Sequence, residues 1–267
     1  MAADIQGAKH LCRARRSELV ENFKIGDICL RQVQLEVFCH LVFVNLDPDA
    51  VSLAGQSGEL RNEVMAYAPD LAVLQHAHQL SYRIQANWKV VVDNFLECYH
   101  CPVAHRDFVS LVDMNTYKVT AHDKYSSHIA KAGQGSNSAY AVDGASVTDH
   151  AVWHLWPNTA LLRYPGRGNF MVWRFIPVSI EETVEEFDFF FESATPSEME
   201  MEAIHYIDSV LQPEDIGLVE SVQRGMRTPA FEQGRYMVDP AESGLSEHAV
   251  HAFHRQVLDA YRGSCQE

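Results

Sequence analysis

Two segments late in the chain, NFMVWRFIPV (169–178) and TVEEFDFFFES (183–193), alternate their side chains as long β-strands do, and a short acidic turn separates them. A connection that short requires antiparallel pairing. YPGRGN (164–169) marks a second hairpin, between NTALLRY and NFMVWRF, and residues 117–131 carry the same β-type pattern. Ahead of this meander, residues 28–36 and 39–46 read as two strands, with DPDA (47–50) closing the second as a turn. Residues 51–78 form a helix-bearing connection, and HQLSYRIQAN (78–87) is a strand that ends at a helix cap. After Pro196 the pattern becomes helical. This order of strands, one buried helix, an antiparallel meander and long helices predicts an α+β domain rather than alternating βαβ units.

The buried helix is the most informative single element. Asn87 is a suitable N-cap, and Trp88, Val91, Val92, Phe95, Leu96 and Tyr99 recur at helical spacing, which predicts a helix over 88–101. Pro102 should kink or end it. In the C-terminal part, Ser197 with Glu200 has the form of a capping box opening a helix over 197–226, which Pro213 splits, and a last helix over about 245–262 has Ser246 as its expected cap. The Gly/Ser-rich stretch GQGSNSAYAVDGAS (133–146) reads as a loop and a candidate lid over a pocket.

At 267 residues the chain is long enough to bury a sizeable core. Its net charge of −15, from 36 acidic and 21 basic residues, opposes binding to a nucleic-acid backbone. No run approaches the roughly 20 apolar residues needed to span a bilayer, and the N-terminus has no secretory core. Six cysteines without a signal sequence are expected as reduced thiols in a cytoplasmic protein.

The stretch NFLECYHCPVAH (94–105) gathers a glutamate, two cysteines and two histidines. Taken singly, the cysteines and histidines are more often core residues than ligands, and the glutamate more often a solvated helix residue. A structural zinc site would need a second C-x-x-C pair, and the remaining cysteines, 12, 29, 39 and 265, form none. A redox dithiol expects its first cysteine at a helix N-terminus, whereas these lie at the far end of the expected helix. Cys98-Tyr99-His100 has the form of half a Rieske ligand motif, but no cysteine follows between 101 and 265 to begin the other half. A mononuclear iron site needs two neutral imidazoles and a carboxylate. His100 and His105 are five residues apart, roughly 140° around a straight helix, so a break at Pro102 is required for both to reach one ion. The carboxylate must come from elsewhere, and Glu214, Asp215 and Glu220 follow the Pro213 break.

The segment NWKVVVDNFLECYHCPVAH resembles the iron-binding stretch of Rieske non-haem iron oxygenase large subunits, the aromatic-ring-hydroxylating dioxygenases. EDIGLVESVQRGM (214–226) resembles the family's second ligand region, and FVNLDPDA (43–50) the passage from its first domain to its catalytic one. The resemblance spans residues 25 to 262 and implies a helix-grip, START-like fold. By it, His100, His105 and Asp215 are ligands of a mononuclear Fe(II), Glu97 links the iron to the cluster of a neighbouring subunit, and Asn94 supports the site. Glu97, the E-C-Y-H-C wording and the tail LSEHAVHAFHRQVL (245–258) are similar to the branch that acts on choline, glycine betaine or carnitine. The implied function is O2-dependent hydroxylation or N-demethylation of a small substrate, a quaternary ammonium or N-methyl compound before an aromatic acid. Trp153, Trp156, Tyr164, Phe170 and Trp173 lie on expected strands, mostly as core, and a subset of them would form a cation–π box.

The family's cluster-binding domain holds [2Fe–2S] through two Cys and two His, and no [2Fe–2S] ligand set occurs in these residues. His10-Leu11-Cys12 has the wrong order and Cys39-His40 has no matching half. Residues 1–50 are accordingly expected to be strands that follow a missing Rieske domain, and residues 51–267 the catalytic domain. Electrons would come from ferredoxin and reductase or a separate Rieske protein, in a homotrimer of the family's kind. The alternatives are a truncated, non-catalytic iron- or ligand-binding remnant and, last, a zinc hydrolase using the same histidines.

Overall fold

The computed structural model describes residues 33–264 apart from 142, 144 and 146. The chain divides into two compact units, residues 1–55 and 56–267. The expected start of the first strand, at 28, and the cysteines at 12, 29 and 265 fall outside the described residues.

In the first unit, β1 (Gln34–Phe38) and β2 (Leu41–Asn45) pair antiparallel. The turn between them is Cys39-His40, with φ of 48° and 60°. Two successive left-handed residues are what a two-residue hairpin of right-handed twist requires. The expected break after residue 36 is therefore displaced by two residues. Glu36 accepts hydrogen bonds from the amides of Leu53 and Ala54 at the start of α1 (Leu53–Gln56).

The second unit is built on one seven-stranded antiparallel sheet. Its strands are β3 (Gln75–Ile84), β4 (Lys118–Ala121), β5 (Tyr125–Ala130), β6 (His150–Leu155), β7 (Thr159–Arg163), β8 (Asn169–Pro177) and β9 (Thr183–Phe191), in the spatial order β3-β9-β8-β7-β6-β5-β4. Six consecutive strands, β4 to β9, form the expected meander, and only β3 joins it from outside by pairing with β9. Along β9, Thr183, Glu185, Phe187, Phe189 and Phe191 are buried while the residues between them are half-buried. That two-residue period turns a single face onto the helices. The observed architecture is the α+β antiparallel sheet with helices expected from the sequence.

Against this face pack α3 (Trp88–Phe95), α7 (Gln212–Met226) and α8 (His248–Ser264). The remaining helices are α2 (Leu60–Tyr67), α4 (Cys101–Ala104), α5 (Phe108–Leu111) and α6 (Glu198–Tyr206). Asn87 caps α3 by accepting from the Lys89 amide, and Ser197 and Glu200 form the full capping box of α6. A π-helical segment, Ile207–Leu211, joins α6 to α7 without the expected split, and its wider turn accommodates Pro213, which has no N–H to donate. Helix α8 begins two residues after Ser246, whose hydroxyl instead accepts from the Asp239 amide.

Two local expectations change. Helix α3 stops at Phe95 rather than 101, because Glu97 accepts hydrogen bonds from the Tyr99 and His100 amides and Gly244 O accepts from the Cys98 amide. Pro102 then belongs to the opening turn of α4, the position where proline is tolerated. The candidate lid is also tied down at its start: the Gly133 and Gly135 amides donate to Leu111 O and Ser110 O, and Tyr140 is buried. Among the described residues, no helix is long and apolar enough to cross a membrane.

Candidate metal centre

The end of α3 at Phe95 solves the spacing problem of the two histidines. His100 directly precedes α4 and His105 directly follows it, so a single helical turn carries both rings instead of a continuous helix. His100 Nε2 and His105 Nε2 stand 3.1 Å apart. Asp215, in the first turn of α7, brings Oδ1 to 3.0 Å from His105 Nε2 and 3.6 Å from His100 Nε2. One ligand atom from each of the three residues lies within 4.8 Å of the others.

The outer sides of the rings explain why those atoms converge. His100 Nδ1 lies 2.5 Å from Glu97 Oε1, and His105 Nδ1 lies 2.8 Å from Glu214 Oε2. A neutral imidazole that donates through Nδ1 keeps a lone pair on Nε2, so both Nε2 atoms face the same point as acceptors. Two lone pairs cannot bond to each other, and an Asp215 oxygen adds a third donor atom of the same kind. A cation satisfies all three, and carboxylates on the outer nitrogens are the usual supports of metal-bound histidines. Asn94, on α3, donates from Nδ2 to Asp215 Oδ1 at 2.6 Å and fixes that carboxylate.

The candidate carboxylates have thereby separated. Glu214 takes the outer nitrogen of His105 and Asp215 the inner one. Glu220 is turned away and accepts from the Gln85 amide, while Gln223 accepts from the Asn87 amide, so α7 anchors the corner between β3 and α3.

Without a metal the concentrated negative charge draws protons onto the rings. Burial disfavours a charged His100, but Asp215 and Glu97 outweigh it and push its pKa up to about 9. Burial likewise opposes the charge on His105, and Asp215 and Glu214 raise its pKa in turn. Burial works against the Asp215 anion, yet the two imidazoles hold it far below the usual carboxylate range. A divalent cation would replace those protons. Two imidazoles and one carboxylate fit ferrous iron as a facial set that leaves coordination positions for dioxygen.

Cys98 and Cys101, expected as reduced thiols, are joined by a disulfide around His100. The stop of α3 brings their Cα atoms to 4.9 Å, within disulfide reach.

A cleft of about 740 Å3, its open mouth included, adjoins the three ligand atoms. Of the five aromatic residues expected around it, Tyr164 and Trp173 line it. Trp153 is on the opposite side of β6, where its indole donates to Glu63 and its ring meets Tyr67. Trp156 packs on Phe253 of α8, and Phe170 is fully buried outside the cleft lining. The cleft walls also include residues that the sequence did not single out. His150 lies nearly parallel to Tyr164 at 5.7 Å, Phe108 meets His150 edge-on at 5.6 Å, and Tyr117 lies 6.0 Å from it. Burial pushes the His150 pKa down to about 3, so this ring is a neutral wall. Glu185 lines the cleft too. Burial, with the Asp215 charge behind it, pushes the Glu185 carboxyl up to about 8 against the opposing hydrogen bond from Gln212.

A long antiparallel sheet packed on helices, with two histidines and an aspartate lining an aromatic-walled cleft, has the donor set of a non-haem iron oxygenase domain. Residues 71–263 match the family model of the ring hydroxylating alpha subunit (catalytic domain), and the chain belongs to that family. The carnitine monooxygenase oxygenase subunit of Escherichia coli (strain K12) is 35% identical over 254 residues, which are 95% of this chain and 68% of the relative. The chloroplastic choline monooxygenase of Spinacia oleracea is 28% identical over 258 residues, 93% of this chain and 56% of that one. Among solved structures, a quaternary ammonium Rieske monooxygenase, described in terms of carnitine oxidation and inter-subunit electron transfer, superposes with a TM-score of 0.84 at 29% identity. The match covers 92% of this chain and 66% of that one.

Proposed function

We propose that these residues form the catalytic part of an oxygenase that oxidises a quaternary ammonium or N-methyl compound with O2, by hydroxylation or N-demethylation. The observation that carries this reading is the convergence of His100 Nε2, His105 Nε2 and Asp215 Oδ1 while Glu97 and Glu214 occupy the outer histidine nitrogens. Ferrous iron, held by those three residues, supplies dioxygen activation. Glu97 and Glu214 fix ring orientation and tautomer, Asn94 fixes the carboxylate, and the aromatic walls restrict water. Glu97, hydrogen-bonded to a ligand, is also the route by which electrons enter from a Rieske cluster outside these residues. Residues 51–267 are the catalytic domain in this reading, and FVNLDPDA (43–50) is the passage that leads into it. The likeness to a relative described for inter-subunit electron transfer supports a route that runs between subunits, which we assign to a trimer of the family's kind in the cytoplasm.

The test is reconstitution of the protein with ferrous iron, a reductase and a Rieske-type donor. Dioxygen uptake coupled to loss of carnitine, γ-butyrobetaine or choline is the expected result. Silence of the fully iron-loaded protein with a competent donor would leave the alternative, a metal- or ligand-binding domain without turnover.

A further inference from the structure

Along β9 the buried positions run Thr183, Glu185, Phe187, Phe189 and Phe191, so one carboxylate stands in a row of phenyl rings. Glu185 is 3% exposed and lines the cleft that holds the three metal-ligand atoms. Its hydrogen-bond partner is the neutral side chain of Gln212, which is also 3% exposed. Among the described residues, no Lys, Arg or His forms an ion pair with it. Buried carboxylates are normally matched by a cation, because desolvation alone is costly. An apolar residue would continue the row of Phe187 to Phe191 without that cost; the carboxyl keeps its proton while the cleft is empty, and a cation bound beside it would draw it into the charged form.

Its surroundings indicate the kind of cation. Gln212 opens α7 and Asp215 follows three residues later, roughly 4.5 Å along the helix axis. A group held at Glu185 therefore sits beside the metal ligands. Trp173 is the cross-strand partner of Phe187, the next inward position from Glu185. Its ring stacks on Phe187 at 4.1 Å and 9°, and it forms a flat aromatic wall of the same cleft. A carboxylate beside an indole face suits a diffuse cation that donates no hydrogen bond.

We propose that Glu185 supplies the counter-charge for a methylated ammonium group of the substrate, making this cleft selective for permanent cations over aromatic acids. An aromatic acid would set a third carboxylate beside Glu185 and Asp215. Gln212 is a positioning residue: its amide fixes the carboxylate without neutralising it. This inference rests on the quaternary ammonium reading above and assigns the discrimination to one side chain.

The experiment compares binding of matched pairs to the iron-loaded full chain by calorimetry. One pair is γ-butyrobetaine and 5,5-dimethylhexanoate, which exchanges the charged nitrogen for carbon. The other is choline and 3,3-dimethylbutan-1-ol. The expected result is that the unmodified protein prefers the cation of at least one pair by tenfold or more. Glu185→Gln should reduce that preference at least tenfold, with iron content and affinity for the neutral 3,3-dimethylbutan-1-ol unchanged. Glu185→Asp, which retains the charge, should keep most of the preference. Retention of the full preference by Glu185→Gln would overturn the role of Glu185 alone. A parallel loss for both members of a pair would make the residue structural and overturn the proposal as well. No preference, or no cation binding, in the unmodified protein would overturn the quaternary ammonium reading and this inference together.

Discussion

His128, on β5, is 1% exposed, packed between the rings of Phe95 and Tyr117, and near His150 and His154. Burial, reinforced by those neighbours, pushes its pKa down to about 3. The unfolded chain, with an ordinary value near 6.5, takes up a proton that the native ring refuses. The stability associated with the neutral ring is complete above pH 6.5 and is lost as pH falls from there toward 3. At about 1.4 kcal/mol per pH unit, one such histidine costs about 2 kcal/mol by pH 5. Other titrating groups, including Glu185 and His100, are shared with a His128→Asn variant and cancel in the difference. The assay is urea unfolding of both proteins at about pH 7.5 and pH 5. Whatever the gap at pH 7.5, it should move in favour of the variant by about 2 kcal/mol at pH 5. A gap independent of pH would mean that native His128 carries a proton, which would refute burial as the cause.

Asn94→Ala removes the 2.6 Å hydrogen bond to Asp215 and should weaken ferrous iron binding by about 10- to 100-fold in a chelator competition. Iron binding should also release protons at neutral pH, since the His100 pKa in the metal-free protein is about 9; apparent affinity should fall as pH drops below that value. Gly244→Ala would put a Cβ 2.5 Å from Tyr117 Cδ1, in a buried contact, and should lower unfolding free energy by about 1–3 kcal/mol in denaturant melts.

What could be read from sequence was what neighbouring residues decide. The N-cap of α3 at Asn87, the capping box at Ser197 and the alternation of β8 and β9 all depend on nearby residues, and each is in place. The end of α3 was not legible, because Gly244, over a hundred residues away, takes up the Cys98 amide. That tertiary contact, with the Glu97 carboxylate turned onto its own following amides, overrides a helical pattern that runs on to Tyr99. The cleft wall shows the same division. His150 belongs to a strand buried on both faces, HAVWHL, where no period distinguishes the side facing the cleft. Glu185 did leave a trace, as a charge at an inward position of β9, but its partner Gln212 lies on another element.

The most direct test of the account is metal analysis of the protein and its Asp215→Ala and His105→Ala variants after anaerobic loading with ferrous iron. Nitric oxide would be added as an electron paramagnetic probe of the bound ion. The account predicts one ferrous ion per chain, a nitrosyl signal that shows an open coordination position, and loss of both in each variant. Full iron retention by Asp215→Ala would contradict the assignment of the centre.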